Sequence, residues 1–177
     1  MGHEVNKQNI GNAGEYFIAS MLSAQDYVAT ITLGRAEKFD ILCVAPKGEK
    51  KTYKLSVKTR YEKATGFALS KKDESGGADD FFYVFVSLNE FREMPECWVF
   101  PSKVINYTLK HISNVWFNVR KKRDGSNHND VGLRRIDFVV SKAQKDLYPS
   151  NWNDIVSQAK VNNFDISEKL SQYCSIL

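Results

Sequence analysis

Histidine, cysteine and glycine-rich phosphate loops are what this sequence largely does without. Its 177 residues include three histidines and three cysteines. His3, His111 and His128 are scattered, with no partner at ligand spacing, so no histidine-based metal or catalytic role is assigned. Cys43, Cys97 and Cys174 are far apart, odd in number and form no CxxC pair. That argues against a zinc site or a disulfide framework. Cys43 and Cys97 lie in apolar, strand-like contexts where a buried free thiol is expected, and a cytoplasmic location fits. Neither GxGxxG nor GxxxxGK occurs, which leaves no nucleotide-cradling loop. No GxSxG elbow announces a serine hydrolase. No apolar run approaches the roughly 20 residues that span a bilayer, and Met1 to Lys7 lacks the apolar centre of a signal peptide. A membrane partner is therefore not expected. Internal repeats, heptads and low-complexity tracts are also missing.

What is present suits one folded domain. The length favours a single unit with a full core. Twelve per cent aromatic residues argues against disorder. Lysine and arginine exceed the acids by four, a mildly basic balance compatible with nucleic acid. The expected organisation is one domain over 1–177, with a core at about 7–105, a basic insertion at about 110–135 and C-terminal helices at about 150–175.

Hydrophobic spacing gives the order of elements. From about Lys7 to Gln25, Ile10, Gly14, Phe17, Ile18, Met21 and Leu22 recur at intervals of three and four, which predicts an amphipathic helix. Gly11 and Gly14 each cost such a helix roughly 1 kcal/mol, and two such costs suggest close approach to a neighbour. Tyr27 to Leu33 alternates as a strand, and Gly34-Arg35 marks a turn. Lys38 to Val44 and Lys54 to Thr59 read as two strands of a hairpin, joined by the polar turn Ala45 to Lys51. Phe67 to Ser70 is a short further strand, and Lys71 to Asp80 a polar loop. Phe81 to Leu88 is almost continuously apolar, as in a central strand buried on both faces. Cys97 to Phe100 is stopped by Pro101, and Ser102 to Ile105 starts a short helix. After the basic block Arg120 to Arg123 and a loop of turn formers, Ile136 to Val140 is a strand. Helices begin at Asn151 and Asp165. A mixed sheet flanked by helices follows.

One constellation carries chemistry. Side chains alternate along a strand, so Ser56 and Lys58 share a face, while Leu55 and Val57 take the other. Asp40 opens the antiparallel neighbour and lies across from the later strand's end. Asp40, Ser56 and Lys58 therefore meet on one face, and Glu15, beside the apolar stripe of the first helix, can lean over the sheet edge. A carboxylate supplies oxygen to Mg²⁺, and a lysine can position water or stabilise charge on a phosphorane. Taken alone, an acid and a lysine on neighbouring strands also describe a solvated ion pair.

Gly14-Glu15 in the first helix, Phe39-Asp40 opening a strand and Ser56-Val57-Lys58-Thr59 in the next resemble the PD-(D/E)XK nuclease superfamily, which includes many restriction enzymes and Holliday-junction resolvases. The resemblance covers roughly the first hundred residues, and the order of elements supports it. It implies a restriction-endonuclease-like α/β fold with a mixed central sheet. It also implies a site in which Asp40, Glu15 and the Val57 carbonyl hold Mg²⁺ or Mn²⁺ and Lys58 acts on the attacking water. The implied activity is hydrolysis of DNA phosphodiester bonds. The sequence departs where the family places an acid two residues before the lysine: here stands Ser56, a shorter and neutral ligand. Asp79, Asp80 and Glu62 are candidates for a relocated acid, and nothing in the spacing selects one. The alternative is a weakened or inactive nuclease-fold module that binds nucleic acid or a partner in a repair or defence complex.

Nucleic acid, DNA above all, is the expected partner, and a homodimer stays open because many such nucleases pair to cut both strands. Arg60, Lys71 and Lys72, with the block Arg120, Lys121, Lys122 and Arg123, are the candidate phosphate contacts. Trp116 and Phe117 precede that block and suit either base stacking or a place in the core.

Overall fold

Helix α1 (Lys7–Ser23) begins at Asn6, whose side chain accepts the Gln8 N–H at 2.8 Å. This satisfies one of the free donors of the first turn. Its buried face, Gly14, Ile18, Met21 and Leu22, is the stripe that the spacing predicts. The computed structural model describes residues 5–32, 38–46 and 51–174. His3, Leu33, the Gly34-Arg35 turn and Lys47 to Lys50 of the hairpin turn lie outside the described residues.

Strands β1 (Val28–Ile31), β2 (Ile41–Val44), β3 (Thr52–Arg60), β5 (Phe81–Ser87) and β6 (Glu96–Pro101) form one sheet in the order β1-β2-β3-β5-β6. Only the β3–β5 pair is parallel, so the sheet is mixed, as expected. All seven residues of β5 are buried. One face of the sheet packs Ile41, Leu55, Val57, Phe82 and Val84 beneath α1 and α4 (Ile166–Cys174). The other packs Tyr83, Phe85, Trp98 and Phe100 against α2 (Ser102–Asn114), α3 (Trp152–Ala159) and a small ribbon. The ribbon pairs β4 (Gly66–Ser70) with β7 (Leu133–Asp137), Phe67 opposite Ile136.

Several elements differ from the sequence expectation, each for a physical reason. Strand β2 starts at Ile41, so Asp40 stands just outside it, although the Asp40 N–H still reaches the Leu55 carbonyl at 2.8 Å. Helix α2 has 13 residues, because Ile105 and Leu109 continue a buried stripe past the short start that was expected. It also runs through residue 110, where the composition turns basic. Strand β7 lies three residues earlier than the apolar run suggested. Arg134 points inward there, at 5% exposure, against Glu74 and Asp130. A buried arginine is invisible to a hydrophobic count. The stretch after β4, expected as a loop, opens with a 3₁₀ turn at Lys71–Glu74.

Candidate active site

The antiparallel register sets Ile41 opposite Leu55, which brings Asp40 opposite Ser56. Because β2 stops there, the edge of β3 beyond Ser56 is open, and Asp40 folds its carboxylate onto it. Asp40 Oδ2 accepts the Val57 N–H at 2.7 Å and the Ser56 hydroxyl at 3.2 Å. Among the described residues Oδ1 has no hydrogen-bond partner. Backbone N–H and C=O of one strand residue point to the same edge, so the Val57 carbonyl faces the Asp40 side. Ser56 is buried, and its hydroxyl is spent on Asp40.

Glu15 arrives from the opposite face of the sheet. Gly14 makes this possible: a Cβ there would overlap the Thr59 side chain, with the Thr59 Cβ itself 2.9 Å away. The missing side chain lets α1 lie directly on β3. Gly11, by contrast, has nothing within 4 Å, so only Gly14 answers to a close approach. Glu15 is half-buried, and its carboxyl is held above the usual carboxylate range by burial first and by the nearby Asp40 charge second, with Lys58 pulling the other way. Glu15 thus feels the Asp40 charge, a repulsion that a cation would relieve.

Lys58 points to the other face with Ser56, and its ammonium lies 5.8 Å over the Tyr83 ring. Its near carboxylate is Asp73, at 4.0 Å, and not Asp40. This corrects the pairing expected from the hairpin. Asp73 is 6% exposed and accepts the Ser70 N–H at 2.8 Å, the Ser70 hydroxyl at 2.9 Å and the Tyr83 hydroxyl at 2.9 Å. Burial, then Asp73, pushes the Tyr83 hydroxyl well above its ordinary pKa. Sequence reasoning missed Asp73. The available signal was Ser70-Lys71-Lys72-Asp73, a capping-box spacing directly after a strand. The acids it did name lie elsewhere. Asp80 pairs with Lys54 at 2.8 Å, Asp79 pairs with Lys103, and Glu62 is exposed.

The candidate phosphate contacts divide. Arg60 is turned inward, its guanidinium 4.4 Å from the Phe67 ring centre and its Nε on the Ser87 hydroxyl at 3.0 Å. Lys71 and Lys72 are exposed, Lys71 within 3.0 Å of Asp130. Arg120 pairs with Asp146, and Lys121 bonds Asn127 across a tight turn that displays Lys122 and Arg123. Trp116 stacks on His128 at 4.2 Å.

Among the described residues no three His, Cys, Asp or Glu side chains form a metal-binding group. The chain's oxygen donors here are two carboxylates and one carbonyl. That hard-oxygen set, with water completing it, fits Mg²⁺ or Mn²⁺ better than a softer ion. No helix is long and apolar enough to cross a membrane among the described residues.

No family model matches the chain, and no curated protein matches it. Among solved structures it is similar to a bacterial homing endonuclease, I-Ssp6803I, at 13% identity and a TM-score of 0.46, over 87% of this chain and 95% of that one.

Proposed function

We propose that the chain is a metal-dependent nuclease of the PD-(D/E)XK kind that hydrolyses phosphodiester bonds in DNA. The observation that carries this reading is the pinning of Asp40 onto the Val57 N–H, with Glu15 on α1 near enough to feel the Asp40 charge. The arrangement concentrates negative charge at one open strand end, beside the ammonium of Lys58. Asp40, Glu15 and the Val57 carbonyl would hold the ion. When bound, it supplies Lewis-acid stabilisation of the phosphate charge. Lys58 donates to the attacking water and meets charge developing on the phosphate oxygens. Asp73 is the carboxylate that lies 4.0 Å from that ammonium. Ser56 holds Asp40 in place rather than binding the ion.

The test is cleavage of duplex, single-stranded and branched DNA with Mg²⁺ or Mn²⁺. Asp40→Asn and Lys58→Ala should each lower the rate by about 100-fold or more while leaving the circular dichroism spectrum unchanged. If the wild-type chain cuts none of these substrates with either ion, the enzymatic reading fails.

One observation favours a second reading. Ser56 is buried and neutral where an acid would serve as a ligand. On that reading the fold binds nucleic acid or a partner without cutting. Ser56→Glu separates the two. Cleavage gained from nothing marks a decayed site, and cleavage lost marks a site built around serine.

A further inference from the structure

Past the end of α2, a cavity of 400 Å³ opens between the following π turn, β7 and the 3₁₀ turn at Lys142–Leu147. The volume is in the range of small-molecule sites, about 300–1,000 Å³. Trp116, Phe117, Leu133 and Tyr148 form apolar walls, and Arg135 and Gln144 stand at a polar edge. The walls are braced from outside. Trp116 stacks on His128, and the Arg134 guanidinium lies 5.1 Å from the Phe117 ring centre. Buried Asp137 braces the edge by accepting Arg135 Nε at 2.9 Å and Gln144 Nε2 at 3.2 Å. Arg135 Nη1 then has no partner among the described residues and is left as a donor. Aromatic walls with a donor edge suit a flat ligand that carries acceptors.

Charge identifies the class. Residues 115–146 hold eight lysines and arginines against four aspartates, an excess equal to the +4 of the whole chain. The remainder of the protein is neutral. A second, open pocket of 470 Å³ shares Ser113, Phe117 and Arg134 with the first, and in it Glu74 and Asp130 pair with Arg134 and Lys71. Lys110, Asn118 and Asn127 complete its polar walls, which suit a sugar-phosphate strand.

We propose that the aromatic cavity receives one unpaired nucleobase of a bound nucleic acid, while the strand's phosphates run through the polar cavity beside it. The proposal rests on the nucleic-acid reading above and adds a preference for unpaired or branched substrates. Adjacent residues of one 3₁₀ turn connect the cavity to the candidate active site. Asp73 faces Lys58, and Glu74 binds Arg134 and the Ser113 hydroxyl. The captured base would lie within a few nucleotides of the phosphate at Asp40.

Fluorescence anisotropy without divalent ions tests this on three labelled DNAs: a duplex, the same duplex with a one-nucleotide bulge, and that bulge made abasic. The base-bearing bulge should bind about tenfold more tightly than the other two, the factor that one base–aromatic stack supplies. Asn129→Trp and Val131→Trp, both at exposed rim positions, fill the mouth. Each should erase the preference and leave duplex affinity unchanged. Equal binding of the base-bearing and abasic bulges overturns the proposal, as does a preference that survives both substitutions. Failure to bind any of the three DNAs overturns the nucleic-acid reading itself.

Discussion

A carboxyl that ionises reluctantly costs a protein stability, and Glu15 is such a group. Its pKa is raised in the folded chain by burial and by Asp40, so the folded state holds its proton more tightly than the unfolded state does. Stability therefore falls as pH climbs from the unfolded value through the folded one, and the cost is fully present above it. Glu15→Gln should melt above wild type near neutral pH, and the gain should vanish below the ordinary carboxylate range. Added Mg²⁺ should raise the melting temperature of wild type more than that of the variant. Scanning calorimetry across pH, with and without the ion, reads both effects. Asp73 is a buried carboxylate with three donors. Asp73→Asn replaces an acceptor oxygen with an amide donor and should cost about 1–3 kcal/mol in urea denaturation, with a loss of cleavage because Lys58 loses its neighbour. At this scale the sequence placed Asp40 beside Ser56, as their hydrogen bond shows, but gave Lys58 the wrong carboxylate. It concealed Asp73, because a 3₁₀ turn has too little periodicity to show which way a side chain points.

Element packing turns those residues into a site, and its weak point is the contact of α1 with β3. Gly14→Ala should push the helix off the sheet, since the added methyl would meet Thr59. A loss of about 1–3 kcal/mol is expected. Thr59→Ala in the same chain should recover part of it by removing the hydroxyl and methyl, and chemical denaturation of the single and double variants measures the coupling. If Gly14→Ala alone leaves stability unchanged, the helix does not rest on Thr59 as described. The paired glycines hinted at this contact, but the hint named two positions and the structure uses one. The hairpin of β2 and β3 was legible from its turn and its alternating strands. The pairing of β4 with β7 was not, because the two are separated by 62 residues and neither carries a pattern that names its partner. The same separation hid the wall of aromatic side chains around Phe117.

For the molecule as a whole, the charge excess confined to residues 115–146 would make the proposed nucleic-acid affinity a matter of salt. Log affinity for duplex DNA should fall linearly with log salt, by about 0.9 for each phosphate neutralised. Replacing exposed Lys122 and Arg123 with glutamine should lower that slope by about 1–2 in titrations at several salt concentrations. Composition alone announced a mildly basic chain and could not show that one region holds the imbalance. The central strand β5 has a consequence of another kind. Phe81-Phe82-Tyr83-Val84-Phe85-Val86-Ser87 has neither charge nor proline, and every residue is covered in the native state. Released by heat, such a segment is a template for cross-β stacking. Thermal denaturation should therefore be irreversible, with light scattering rising at the transition, and a peptide of these seven residues should form thioflavin-positive fibrils on its own. The strand that anchors both cores is thus the segment a cell's chaperones must shield until the sheet closes around it.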